Sequence, residues 1–578
     1  MDTQLRFRNL ADLFVQSLSR VEQADKVCLE IIRSDRQESL TFGDLAHRAA
    51  RFASWLREFA DVQIGSHVAI VGKNRADWDA ALWGVVTAGA LPVLIDPERP
   101  VDGVITHLDH TDSCGLVLAD DYQDEQSRRR LRDFCEEKGL WFVEMTDTPF
   151  CDSLSGGADA GEVSVRLSEV YERVGPDNTA VILCTSGTTG DPREVELTHR
   201  NLIANIEGSV EKIDLSGSDR IGHILPPHHS FGFTVGKILP LRVGATSIYT
   251  NQYRQVADLV RDQKVTIFIA VPALYTVLAK AIEDGLAKEK KRKRHVRLLD
   301  RYLPKLVGKA LIRKLGWEKL RFCLSGSAAM PKWVLDIFWR HGLLLYEGYG
   351  TTENSPVYGF NDSRKKLGSV GKPIPTLCVK IVDDELREVP PLEKGEIALG
   401  GPCIMKGYYK NPRSTDAVIR TDTNGVRWLH TGDLGYLNEE GDLFITGRKK
   451  YLIVLPGGKN VNPELVESAL LEARFVAEIL VVPSVRERTP GLSQEAVKAI
   501  VRPAWSEIEN HANVPTRELI DKPEELKKLV WQNISECQRT SRQLSSYEKI
   551  SSSNLEIHID EFQKTSTGKV RRELYVKM

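Results

Sequence analysis

The chain has 578 residues, 42% hydrophobic and 27% charged, with a formal net charge of −2. That length allows more than one domain and a large core built without disulfides or structural metals. The near-neutral balance does not point to nucleic acid. Nine cysteines are scattered singly with no C-x-x-C, so neither a zinc framework nor a disulfide scaffold is suggested, and a reducing cytosol is the expected setting.

In chain order, Met1 to Arg20 mixes polar and apolar residues without an unbroken apolar core, which argues against a secretory signal. Up to about Gly447, short β-rich runs alternate with helical patterns: Val68–Gly72 before Trp78–Ala88, and Ile267–Val271 before Ala273–Ile282. Alternation of this kind predicts a mostly parallel α/β sheet. The longest apolar stretch, Val265 to Ala279, is too short to span a bilayer and reads as a buried strand and helix. Gly156–Gly161 reads as a surface loop. Between Cys378 and Phe444, runs such as Val379–Val382 and Glu396–Leu399 are separated by Gly, Pro and Asp, as in hairpins or a small barrel. After Arg448 a second, shorter α/β pattern begins with Tyr451–Leu455, Pro463–Leu471, Ala477–Val482 and Ala496–Val501. The expected architecture is α/β: a large domain of α/β subdomains plus a small β-barrel over 1–449, and a small mobile α+β domain over 450–578.

Lys288 to Lys314 is strongly basic, with Leu298, Leu299, Leu303, Leu306, Val307 and Leu311 interleaved at roughly helical spacing. A basic amphipathic helix can lie on an anionic membrane. It can equally be a solvated helix whose apolar face packs on its own domain.

Five stretches carry chemistry. Thr185-Ser186-Gly187-Thr188-Thr189-Gly190 follows the apolar run Ala180–Cys184, so it is a loop leaving a strand. Its glycines allow close backbone approach, and its hydroxyls and amides can surround an anion. It lacks the Walker lysine spacing. Glu347 to Glu353, Glu-Gly-Tyr-Gly-Thr-Thr-Glu, puts an aromatic, hydroxyls and a carboxylate in one turn. Tyr349 could stack on a base, Thr352 bond a phosphate and Glu353 hold Mg²⁺, which prefers oxygen. Asp433, in His430-Thr-Gly-Asp, suits paired ribose hydroxyls. Arg448 follows in Thr446-Gly-Arg-Lys-Lys450, and Lys569 closes a Gly-containing loop near the end.

In this order and spacing, these stretches resemble the adenylate-forming superfamily of acyl-CoA synthetases, peptide-synthetase adenylation domains and beetle luciferases. The resemblance runs from about residue 30 to the end. It implies that Thr185 to Gly190 grips the pyrophosphate end of ATP, and that Ser327 and Ala328, within Ser325 to Pro331, line the adenine. It implies that Tyr349 stacks on adenine, Thr352 meets the α-phosphate and Glu353 positions Mg²⁺. Asp433 and Arg448 would hold the ribose, His229 would lie near the acyl carboxylate, and Lys450 would be the hinge. Lys569 would bridge carboxylate and phosphate during adenylation, then be removed as the small domain rotates and admits Gly457 to Val461 to the thiol channel.

The reaction so implied joins a carboxylic acid to a thiol through an acyl-adenylate, with ATP, Mg²⁺ and CoA as cofactors and co-substrate. The sequences from Glu347, Leu455 and Leu544 look like bacterial long-chain fatty acyl-CoA synthetases. The stretch Phe231 to Gly236 is also similar to acyl-carrier-protein synthetases. The expected setting is cytoplasmic, with membrane contact through 288–314 left open. One departure stands at Pro192-Arg193-Glu194, where the family continues Pro-Lys-Gly. Glu194 adds a negative charge next to the pyrophosphate position, which keeps open a third reading, a non-catalytic acyl or nucleotide sensor.

Overall fold

A computed structural model describes residues 6–19, 24–33, 37–147, 170–185, 193–292, 294–361, 363, 366–455, 459–489, 492–512, 514–541, 544–564 and 570–576. The chain forms two compact units, one of residues 1–379 and 399–429 and the other of residues 380–398 and 430–578.

The larger unit is built on two mixed sheets. In the first, the strands run in the order Gly359–Asn361, Leu345–Tyr349, Phe322–Ser325, Ile267–Ala270, Arg220–His223, Thr246–Thr250, Val27–Ile32, Gln37–Thr41. Its inner pairs are parallel and both outermost pairs are antiparallel. In the second the order is Gly407–Tyr408, Arg193–Thr198, Thr179–Thr185, Leu91–Ile95, His67–Val71, Ser113–Leu118, Trp141–Glu144. Val68 to Val71 are all buried, without alternation, because helices cover both faces of a parallel sheet. The helix expected over Trp78–Ala88 is Ala76–Thr87, and it is buried along most of its length.

Local chemistry fixes where the site-bearing helix begins. Thr198 Oγ1 accepts the Asn201 N–H at 3.1 Å and Asn201 Oδ1 accepts the Thr198 N–H at 2.8 Å. This reciprocal cap starts the helix His199–Lys212 at a defined residue. Asn205, one turn later, is thereby set in the interior, fully buried.

The basic segment is not one helix. It divides into Pro272–Arg292, Arg294–Tyr302 and Pro304–Leu315. Pro304 lacks an N–H and excludes Leu303 from helical geometry, so the chain turns there (Leu303 φ −136°). Val307, Leu311, Ile312 and Leu315 pack against the core that holds Phe268, Tyr275 and Phe338. Leu298, Leu299, Tyr302, Leu303 and Leu306 stay exposed. The leucine stripe is therefore divided, one part packed inward and one part exposed. No described helix is long and apolar enough to cross a membrane.

In the smaller unit, the strand Val476–Thr489 pairs antiparallel with Leu492–Pro503, which pairs in parallel with Leu555–Ile557. Helices Pro463–Leu470 and Pro523–Thr540 supply Val466, Leu470, Val530 and Ile534 to one core with Val481, Ala499 and Val501. The strand expected from Tyr451 is confined to Ile453–Leu455, because Lys449–Tyr451 makes a 3₁₀ turn. The Tyr451 ring instead lies 5.1 Å from the Arg572 guanidinium. The loop at 156–161 lies outside the described residues.

Candidate active site

In the larger unit, strand Leu345–Tyr349 lies beside Phe322–Ser325 with Ser325 opposite Glu347. The Ser325–Pro331 motif and the Glu347 motif therefore leave adjacent parallel strands. Ser327 adopts φ +74°, an uncommon backbone state for a residue with a Cβ, and Ser327 and Ala328 both reach the surface, half-buried and exposed. Glu347 is buried and accepts the Met330 N–H at 2.9 Å, which ties the two motifs together. Burial pushes its carboxyl up to about 7. Tyr349 is half-buried and meets Tyr358 edge-on at 5.6 Å.

The turn after Tyr349 is heavily held. Thr352 shares a hydrogen bond with Ser230 at 3.0 Å, which joins the Glu347 motif to the His229 motif. Glu353 Oε1 accepts the Tyr408 hydroxyl at 2.9 Å, and its backbone carbonyl accepts the Met405 N–H at 2.8 Å. Asn205 donates to the carbonyls of Asn354 and Val357 at 3.1 and 2.7 Å and accepts the Val357 N–H. Neither Asn205 nor Tyr408 stood out in the sequence. The only signal was the cap at Thr198 and Asn201, which predicts where the helix places Asn205. The polar groups at this turn are oxygens, the Glu353 carboxylate with the Tyr408 hydroxyl on it and the neighbouring Thr352 hydroxyl, the ligand chemistry that Mg²⁺ prefers.

His229 is half-buried, with Nδ1 3.4 Å from the Phe231 N–H. His228 is buried, 3.5 Å from Asp96, and burial lowers its basicity. The adjacent histidines are thus separated: one reaches the surface and the other does not. The chain then continues into a π-helical turn, Gly232–Ile238. Gly232 is required at its start, since a Cβ there would lie 2.0 Å from the Pro226 carbonyl oxygen. Near the end of that turn, fully buried Lys237 bonds Asp79 at 2.8 Å, and Asp79 also accepts the Tyr249 hydroxyl at 2.8 Å. Burial pushes Lys237 and Asp79 each toward its neutral form. No local sequence signal marks this triad, because each member sits on a different element.

Thr185 ends the strand Thr179–Thr185, opposite Arg193 on the partner strand. Ser186, Gly187, Thr188, Thr189 and Gly190 lie outside the described residues, as do Gly457, Gly458 and Lys569. Glu194 follows Arg193 on the strand Arg193–Thr198. Strand alternation turns it away from Arg193: Arg193 lies 5.1 Å from the Tyr408 ring, while the buried Glu194 carboxylate meets His107 at 2.8 Å and His110 at 3.3 Å. Burial alone would raise its carboxyl, but the two imidazoles hold it below the usual range. The negative charge expected beside the pyrophosphate position is sequestered on the other face.

In the smaller unit, Asp433 pairs in register with Arg448 on neighbouring antiparallel strands, with Arg448 Nε 2.7 Å from Asp433 Oδ1. Lys450 is exposed just after, in the 3₁₀ turn.

The model of the AMP-binding enzyme family matches residues 19–409. The chain belongs to this family. A long-chain-fatty-acid–CoA ligase of Escherichia coli O6:H1 (strain CFT073) is 27% identical over 527 residues, covering 86% of each chain. A chloroplastic long-chain-fatty-acid–acyl-carrier-protein ligase of Arabidopsis thaliana is 27% identical over 545 residues, covering 81% of this chain and 74% of its own. The fold is that of the ATP-bound structure of MatB from Rhodopseudomonas palustris, with a TM-score of 0.73, 21% identity and 98% of each chain covered.

Proposed function

We propose that this AMP-binding enzyme joins a long-chain fatty acid to CoA through an acyl-adenylate, releasing pyrophosphate and then AMP. The observation that supports this reading is the Glu347–Glu353 turn, in which Thr352 bonds Ser230 and Glu353 bonds Tyr408, so that the Glu347 and His229 motifs share one hydrogen-bonded frame. Adenylation needs no side-chain nucleophile: the substrate carboxylate attacks the α-phosphorus and pyrophosphate leaves. The protein must align the two anions and neutralise charge. In this assignment Tyr349, Ser327 and Ala328 hold adenine, Asp433 and Arg448 the ribose, Thr352 the α-phosphate, and Thr185 to Gly190 the leaving pyrophosphate. Glu353 would hold Mg²⁺, which supplies charge neutralisation at the phosphates. Lys569 aligns the carboxylate with the phosphate, His229 lies near that carboxylate, and movement of the small domain about Lys450 opens the thiol step.

The long-chain assignment draws on the E. coli relative, and the Arabidopsis relative keeps acyl carrier protein as a second acceptor. Both acceptors present a phosphopantetheine thiol, so the test is direct competition. The account predicts long-chain acyl-CoA formation with CoA, lost in Lys569→Ala. Acyl-AMP that discharges only onto carrier protein would select the second reading. The sensor reading loses its ground with Glu194 turned away on His107 and His110.

We further propose a cytoplasmic enzyme that touches an anionic membrane through 288–314. Support comes from basic residues beside exposed Leu298, Tyr302, Leu303 and Leu306. Flotation with anionic vesicles should fall at least tenfold on neutralising Lys290 to Arg294 or in Leu303→Glu; equal flotation would exclude the segment.

A further inference from the structure

Behind the Arg193 position lies a cluster that the proposed reaction does not use. Cys184 and Glu194 are direct cross-strand partners, so their side chains emerge on one face of the pair Thr179–Thr185 and Arg193–Thr198. His107 and His110 stand three residues apart on the helix Val101–His110, hence on one side of it. Nδ1 of His107 lies 2.8 Å from Glu194 Oε1, and Nδ1 of His110 lies 3.3 Å from Oε2. Ligand atoms of His107, Cys184 and Glu194 lie within 4.8 Å of one another.

Two observations set this apart from a closed hydrogen-bond cluster. His107 is 1% exposed, and its Nε2 has no hydrogen-bond partner among the described residues. A buried polar nitrogen left without a partner destabilises the fold unless a ligand takes it up. Cys184, also buried, faces a carboxylate, an unfavourable neighbour for a thiol that ionises but an ordinary one for a thiolate bound to a cation. The cluster offers an imidazole, a thiol and a carboxylate, three donors grouped for one ion, with the His110 imidazole 3.3 Å from the carboxylate on its solvent side. Soft sulfur and nitrogen select against Mg²⁺ and Ca²⁺ and fit Zn²⁺. His110 is 43% exposed at its side chain, which gives an entry path from solvent.

We propose that His107, Cys184 and Glu194 form a binding site for a divalent transition ion of the Zn²⁺ type, with His110 at its solvent edge completing the ligand set. Binding releases the Cys184 proton to solvent and ties the Cys184–Glu194 strand pair to the Val101–His110 helix. The site lies one cross-strand pair behind Thr185 and Arg193, so its occupancy ties together the ends of those two strands. No sequence pattern announces it, since its ligands come from three separate elements and no C-x-x-C is involved.

The proposal stands apart from the acid–thiol ligase reading and is tested without turnover. Full-length protein, stripped with chelator, is titrated with Co²⁺ as the probe, which reports thiolate ligation by charge-transfer absorption and four-coordination by its visible bands. The expected result is one saturating equivalent, displaced by Zn²⁺, with the thiolate band gone in Cys184→Ser. In His110→Ala, a surface change that leaves the core intact, affinity falls at least tenfold. Zn²⁺ raises the Tm of the wild type and not of His110→Ala. Absence of a saturable thiolate band in the wild type, or a band unchanged in both variants, overturns the proposal.

Discussion

Tyr408 donates its hydroxyl to Glu353 at 2.9 Å, and the same ring lies 5.1 Å from the Arg193 guanidinium. One aromatic side chain thus joins the carboxylate assigned to Mg²⁺ to the cation that stands where the family has lysine. Removing only the hydroxyl in Tyr408→Phe leaves Glu353 without this donor. The expected effect is a change in KM for Mg·ATP of about three- to tenfold, equivalent to the ~1 kcal/mol of one hydrogen bond, with stability nearly unchanged. An unaltered KM would separate Tyr408 from nucleotide binding.

Asn205 holds the Asn354–Val357 turn through three hydrogen bonds from a fully buried position. Asn205→Ala strands two carbonyls and one N–H, a cost of about 2–3 kcal/mol. Because the turn carries Thr352 and Glu353, kcat/KM for ATP should fall at least tenfold while the protein still folds. Nucleotide kinetics set beside chemical unfolding separate the two effects.

Lys237 and Asp79 form a fully buried ion pair completed by Tyr249. Lys237→Met leaves a buried carboxylate without its cation and should destabilise by about 3–5 kcal/mol. Lys237→Met with Asp79→Leu removes both charges and should recover more than half of that loss. Urea unfolding of the two single variants and the double gives the coupling; additive losses would deny the pair its role.

Glu347 makes stability pH-dependent. Burial raises its carboxyl from 4.5 to about 7 in the folded state. Between these values the native state binds more protons than the unfolded one. Stability from this group is therefore full below pH 4.5 and is lost as pH rises toward 7, by on the order of 3 kcal/mol. Glu347→Gln cannot ionise, so its Tm relative to wild type should be several degrees more favourable at pH 8 than at pH 5. An equal difference at both would contradict the assignment.

The fold was legible wherever periodicity alone decides: the buried run Val68–Val71, the strand Ile267–Ala270 and the helix Pro463–Leu470 stand within a residue or two of expectation. Proline overrode periodicity at Leu303–Pro304, where leucine spacing continues but the helix cannot. At Glu194, linear proximity to the loop suggested a charge beside phosphate, whereas strand alternation sends neighbouring side chains to opposite faces. Asn205, Lys237 and Tyr408 escaped notice because their partners lie far away in sequence and are brought close only by the two sheets. The motif residues were readable because chemistry confines Glu347 to Glu353 to one turn; their supporting shell had no such local signature.

The most direct test of the account is acid-dependent exchange of labelled pyrophosphate into ATP, run without any thiol across acids from acetate to oleate. Reversible formation of an acyl-adenylate predicts exchange with long-chain acids, absent without acid and reduced by at least a hundredfold in Lys569→Ala. No exchange with any acid, in protein that still binds ATP, would contradict adenylation as the chemistry of this site.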